Sequence, residues 1–259
     1  FQFIVATSKG QISEELHGRL VKTVANMMQP FQEHMQWLQS LKSKTAEDWA
    51  MGKEKFEKLL KLRGLGMTSE EIYQLGKKYL EELKEERARI ASQIAPGEGI
   101  QEVMKIIENN APNTFEDALK ATKDAMEEAR QFVIENNIAT VHKEDKMIVE
   151  ETPSFLAPLI PFAAMMMPSR FDKPMIGVYI VTRPKDISNL GKHLNYANIR
   201  NTAVHEAFPG HFLQGTISNR SSLLHRLGQG FETSEGWAHY CEQLMTERGF
   251  ITDLESRLI

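Results

Sequence analysis

The stretch Val204-His205-Glu206-Ala207-Phe208-Pro209-Gly210-His211 places two imidazoles around a carboxylate. A hydrolytic zinc centre needs neutral nitrogen ligands, a further ligand from another element, and a separate carboxylate able to move a proton. A second cluster, Glu235-Gly236-Trp237-Ala238-His239-Tyr240-Cys241-Glu242, begins 24 residues after His211 and supplies the remaining groups.

The spacing of the first cluster is unusual. His211 follows His205 by six residues, and six residues of a straight α-helix turn through roughly 600°, leaving the two side chains about 120° apart. A regular helix cannot put both on one ion. Pro209 cannot donate an amide hydrogen bond and crowds the carbonyl of residue 205, while Gly210 tolerates dihedrals closed to other residues. The prediction is a helix to about Phe208, then a break or wide turn, a π-type widening being one form, that returns His211 to His205.

In the second cluster Glu235 and His239 are i and i+4 and Glu242 is i+7, so on a helix the three share one face. Glu235 reads as the third ligand of one Zn2+ ion, after His205 and His211. Glu242 or His239 reads as the partner that holds a ligating imidazole through its other ring nitrogen. Trp237, Tyr240 and Cys241 point elsewhere and can pack. Glu206, about 100° round the helix from His205, can reach a water on the metal without ligating, which is the position of a general base.

Any one of these residues alone is most often a satisfied core or surface group. The ordered set is what points to metal. Asn198, Asn201 and Thr202 lie seven, four and three residues before His205 and extend a polar stripe towards it. On a purely structural helix such a stripe is the solvated face.

Together with Thr152-Pro153-Ser154-Phe155, Ile160-Pro161-Phe162-Ala163 and Gly177-Val178-Tyr179-Ile180-Val181-Thr182, the two clusters resemble domain of unknown function 885, a family grouped with the gluzincin-type zinc peptidases. The resemblance is close over residues 150–249 and loose over the helical first half. It implies a metal-dependent peptidase-like protein in which His205, His211 and Glu235 match the ligands and Glu206 the base, acting on a peptide substrate it does not specify. It also implies a further helical region beyond Ile259, so the chain, which starts with Phe1, reads as a fragment, with any oxyanion-stabilising group of that region outside it.

With 259 residues, 41% hydrophobic and 25% charged, the chain has an ordinary globular composition. A net charge of −4 and interleaved acids and bases, as in Lys77-Lys78-Tyr79-Leu80-Glu81-Glu82, argue against a nucleic-acid surface. The single cysteine, Cys241, excludes an intrachain disulfide framework and leaves a cytoplasmic or exported location open. The most apolar run, residues 155–167, contains Pro158 and Pro161 and is too short to span a bilayer.

The first half reads as amphipathic helices. Leu16, Leu20, Val24, Met27, Phe31, Met35 and Leu38 recur at helical steps, with Pro30 predicted to kink the middle. Thr68 with Glu71, and Thr114 with Asp117, read as N-terminal caps of two further helices. Such stripes ordinarily form core. Past residue 140, segments 146–151 and 176–182 read as strands, joined by a proline-punctuated loop through Met165-Met166-Met167. These methionines suit core, or one wall of a peptide cleft. The strand bearing Tyr179 is predicted to be an edge strand near the metal helix, pairing with extended substrate through main-chain hydrogen bonds. His142, His193 and His225 are isolated and read as surface.

The predicted architecture is mainly α (α+β), a helical bundle-like region over residues 1–145 on a zincin-like core with a small β-sheet over 146–259, or one continuous domain. The leading function is a zinc-dependent peptidase or related amide hydrolase. The rivals are a metal- or peptide-binding protein without turnover, which the six-residue spacing motivates, and a structural role for the helical half.

Overall fold

The computed structural model describes residues 2–41, 49–227 and 230–259. The first helices are α1 (Gln2–Ser8), α2 (Glu14–Ser40) and α3 (Lys53–Leu62). Next come α4 (Ser69–Ile94), α5 (Ile100–Asn109) and α6 (Phe115–Glu135). Ahead of α4 the Thr68 amide donates to Glu71 at 2.8 Å and the Glu71 amide to the Thr68 hydroxyl at 3.3 Å, a reciprocal capping box. Ahead of α6 the Asp117 amide donates to the Thr114 hydroxyl at 3.1 Å, while the shorter Asp side chain accepts only from that same hydroxyl. Both caps satisfy helix-start amides that would otherwise lack a partner.

Three strands follow, β1 (Lys146–Glu151), β2 (Ala163–Met166) and β3 (Ile176–Val181). The remaining helices are α7 (Leu190–Leu194), α8 (Tyr196–Thr202), α9 (His211–Arg220), α10 (Leu223–Leu227), α11 (Phe231–Glu247) and α12 (Leu254–Leu258). A single π turn, Ala203–Ala207, continues directly from α8. The molecule is therefore mainly α with a small mixed sheet, as the sequence predicts.

Contacts divide the chain into residues 1–77 and 78–259. In the first unit, α2 runs through Pro30 without interruption and buries none of its residues. Leu16, Phe31, Met35 and Leu38 of its predicted stripe are all exposed. In the second unit the stripe of α6 is core: Ala118, Thr122, Met126, Ala129 and Val133 are all buried. Full burial of side chains such as Met126 and Val133 contributes about 1.5–3 kcal/mol each.

The sheet has the order β1-β3-β2, with β1 parallel and β2 antiparallel to β3. This corrects two expectations. The methionine segment read as loop contains a strand, whose Met165 lies opposite Tyr179. And β3 is the central strand: Tyr179 pairs with Val149 on one side and Met165 on the other, so its main chain cannot serve as the free edge for an extended substrate. The main core joins α6 to Tyr179 and Val181 of β3, to the π turn through Ala203, Val204 and Ala207, and to Phe208, Phe212, Cys241 and Met245. A second cluster, including Ile90, Val103, Ile107 and Leu258, packs α4, α5 and α12. No helix among the described residues is long and apolar enough to cross a membrane.

Candidate metal centre

The helix of the first cluster ends as its sequence requires. The Phe208 amide reaches back five residues to the Ala203 carbonyl at 3.1 Å, and Gly210, past the imino nitrogen of Pro209, reaches six residues to Val204 at 3.0 Å. These long-range bonds widen the last turn beyond α-helical geometry. Phe208 is extended, with φ −131° and ψ 120°, and His211 then opens α9. The wide turn brings the two imidazoles together edge to face, their ring centres 4.8 Å apart.

α11 supplies the opposite wall. Glu235 Oε2 lies 3.6 Å from His205 Nε2 and 3.5 Å from His211 Nε2. Ligands about 2.1 Å from a tetrahedral centre stand about 3.4 Å from one another. The two separations to Glu235 thus match those within a tetrahedral ligand set, all three donors lie within 4.8 Å of one another, and an N2O set is one that zinc accepts.

His205 is held from behind. Its Nδ1 lies 2.6 Å from the Oε1 of Glu242, which is about two helical turns beyond Glu235 on the same face of α11. With Nδ1–H donated to that carboxylate, Nε2 presents its lone pair to the ligand position. His239 is exposed on the same face, its Nδ1 3.7 Å from the same Glu242 oxygen, so of the two predicted partners Glu242 makes the direct contact. The Glu242 hydrogen bond raises the His205 pKa above its usual 6.5, partly opposed by burial.

Glu206 is half-buried, and burial pushes its carboxyl above the usual 4.5, while His205 and His211 pull it down and Glu235 pushes it up. Tyr179, buried under the turn, has its phenol raised by burial and by the Glu206 charge. It stays a neutral hydroxyl throughout the physiological range. Trp237 has a role beyond packing: its indole N–H donates to the Pro209 carbonyl at 2.9 Å, tying α11 to the wide turn. Its position two residues after Glu235 was the only signal for this.

Of the polar stripe before His205, Asn201 is diverted, donating to the Ser256 carbonyl at 2.7 Å. Asn198 and Thr202 instead face a cavity that also reaches Tyr179. His193 is exposed, as the sequence reading has it, and lines the mouth of that cavity with its ring 4.6 Å from Phe162. His142 stands at the surface near Glu144, and the side chain of His225 lies outside the described residues.

The family model for "Bacterial protein of unknown function (DUF885)" matches residues 3–259. The chain belongs to the DUF885 family. Among solved structures it is similar to "the putative lipoprotein from Colwellia psychrerythraea", with a TM-score of 0.73 and 18% identity over 96% of this chain. At that identity the likeness is one of fold. The chain spans 45% of the length of that protein. No curated protein matches the chain at a significant level.

Within this DUF885 chain the Glu242 contact makes a measurable prediction. Glu242→Gln leaves His205 without its carboxylate partner, and zinc affinity should fall about 10–100-fold. Because the Glu242 hydrogen bond also raises the His205 pKa, zinc binding at a given pH should release fewer protons in the variant than in the wild type. Calorimetry in two buffers of different ionisation enthalpy measures both.

Proposed function

We propose that the chain carries the metal centre of a zinc-dependent, gluzincin-like peptidase, cleaving peptide or related amide bonds. The observation that supports this most directly is the convergence of His205 Nε2, His211 Nε2 and Glu235 Oε2, backed by Glu242 on the far nitrogen of His205. Zinc held there would supply Lewis acidity, polarising a scissile carbonyl and bringing a water within reach of a carboxylate base.

The chain's own residues do the rest. Glu206 is next to a ligand yet outside the ligand set, and its raised pKa brings it nearer the operating pH of a general base. It accepts a proton from water and returns it to the leaving nitrogen, so that hydroxyl is added to the acyl carbon and hydrogen to the amine. Tyr179, protonated and close enough to feel the Glu206 charge, is available as a donor to bound substrate through its side chain rather than its main chain. A base adjacent to the ligands is unnecessary for metal storage, which favours turnover over a binding-only protein.

Elemental analysis of the full-length protein tests the ligand set. One zinc per chain is expected, with His205→Ala and Glu235→Ala each losing stoichiometric metal. A His205→Ala protein that keeps its full complement, or zinc-loaded wild type that cleaves nothing in a diverse peptide library, would overturn the reading.

A further inference from the structure

A cavity of about 640 Å³ adjoins the candidate metal centre through Tyr179. Its wall towards the centre is shared: Tyr179 belongs to both, and Asn198 and Thr202 line the cavity at four-residue spacing, with Glu206 four residues further along the same helical path. Apolar surface comes from Phe162, Leu190 and Ile199. The charged and titratable groups facing it are Tyr179, Lys185, Asp186, Lys192 and His193.

The balance of these groups favours an anion. The Asp186 carboxylate is drawn back on its own turn, accepting from the Ser188 amide at 2.9 Å. Lys185 and Lys192 close no ion pair among the described residues, although Asp186 feels the charge of Lys192. The cavity therefore joins an apolar interior to two ammonium groups and one carboxylate, Asp186, which is within electrostatic range of Lys192 and leaves an excess of one positive charge. That is the complement of a residue with an apolar side chain and a free carboxylate.

Asn198, which lines the same cavity, ties its floor to the lysine-bearing segment by donating from Nδ2 to the Lys192 carbonyl at 3.4 Å.

We propose that this cavity receives the C-terminal residue of a peptide, its α-carboxylate met by Lys192 and Lys185, so that the centre releases C-terminal fragments. The proposal rests on the hydrolytic reading above, and its test is kept separable from it. The probes are acetyl-Ala-Ala-Phe as the free acid and as the C-terminal amide, titrated into zinc-loaded full-length protein carrying Glu206→Gln to suppress turnover. The acid is expected to bind at least tenfold more tightly, and Lys185→Gln with Lys192→Gln should erase that preference while zinc content stays unchanged. Products of longer peptides, sized by mass spectrometry with wild-type protein, should include a fragment that carries the original C-terminus and is of one constant length for substrates of different lengths. Equal affinity for acid and amide, no binding of either, a preference that survives the double variant, or internal cleavage alone would each overturn the C-terminal assignment. Glu206-dependent hydrolysis would stand in all of those cases, whereas loss of zinc binding would remove the centre itself.

Discussion

Glu206→Gln should leave zinc content and affinity unchanged and lower hydrolysis by about 10²–10⁴-fold, the range that a positioned general base contributes. The side chain keeps its shape and loses only the ability to take a proton. It is not one of the three donor atoms that converge between α9, α11 and the π turn, so the metal should not respond. The outcome that counts against the assignment is a zinc-loaded Glu206→Gln protein with wild-type turnover.

The pH profile follows from the same residue. Burial raises the Glu206 carboxyl above 4.5, and a base works only when ionised, so activity should fall with acidification on a limb set above that value. His205 acts in the same direction through metal affinity, because its raised pKa means zinc competes with a proton up to a higher pH. In metal-free protein the sign for stability is opposite to that for activity. A histidine with a folded pKa above its usual 6.5 contributes stability that is fully present below 6.5 and lost as pH rises through the folded value.

How much of this was legible in the sequence depended on whether the cause was local. The caps at Thr68 and Thr114, the buried stripe of α6 and the shared face of Glu235 and Glu242 all arise within one or two helical turns, and sequence spacing captures such relations. The widened turn was legible for the same reason: Pro209 removes one amide, and the amides of Phe208 and Gly210 must find acceptors further back. Strand order was not. β3 lies centrally only because a parallel partner from 146–151 and an antiparallel partner from 163–166 flank it, and Ala163–Met166 has neither polar alternation nor β-branched residues to announce a strand. Nor was the exposure of the α2 stripe legible, since periodicity says which residues share a face but not what covers it. The cavity draws its walls from segments between residues 122 and 202, and such a gathering leaves no trace in local spacing.

Gly210→Ala should damage both the fold and the metal centre, more than its single added methyl would do elsewhere. A Cβ at this position would fall on the His205 and Val204 carbonyl oxygens, inside van der Waals contact. Both oxygens are backbone of the π turn, and the Val204 oxygen accepts the Gly210 amide at 3.0 Å. Neither can swing aside as a flexible side chain could, so the wide turn itself must open. Its opening separates His211 from His205, because the chain between them is this turn. Overpacking of this kind costs about 1–3 kcal/mol or more, which corresponds to a fall of roughly 2–12 °C in melting temperature for a chain of this size. Zinc affinity should drop with it by at least about tenfold, since a tetrahedral site loses one of its ligands. Gly236→Ala is the matched control, on α11 between Glu235 and Trp237: a Cβ there meets nothing within 4 Å, and alanine in a helix interior should stabilise by about 0.5–1 kcal/mol. Differential scanning calorimetry with and without zinc separates the two effects, because damage confined to the fold lowers both transitions equally, whereas loss of the centre also removes the upward shift that zinc produces. A Gly210→Ala protein with wild-type melting and an intact zinc shift would mean that His211 does not depend on this turn for its place beside His205.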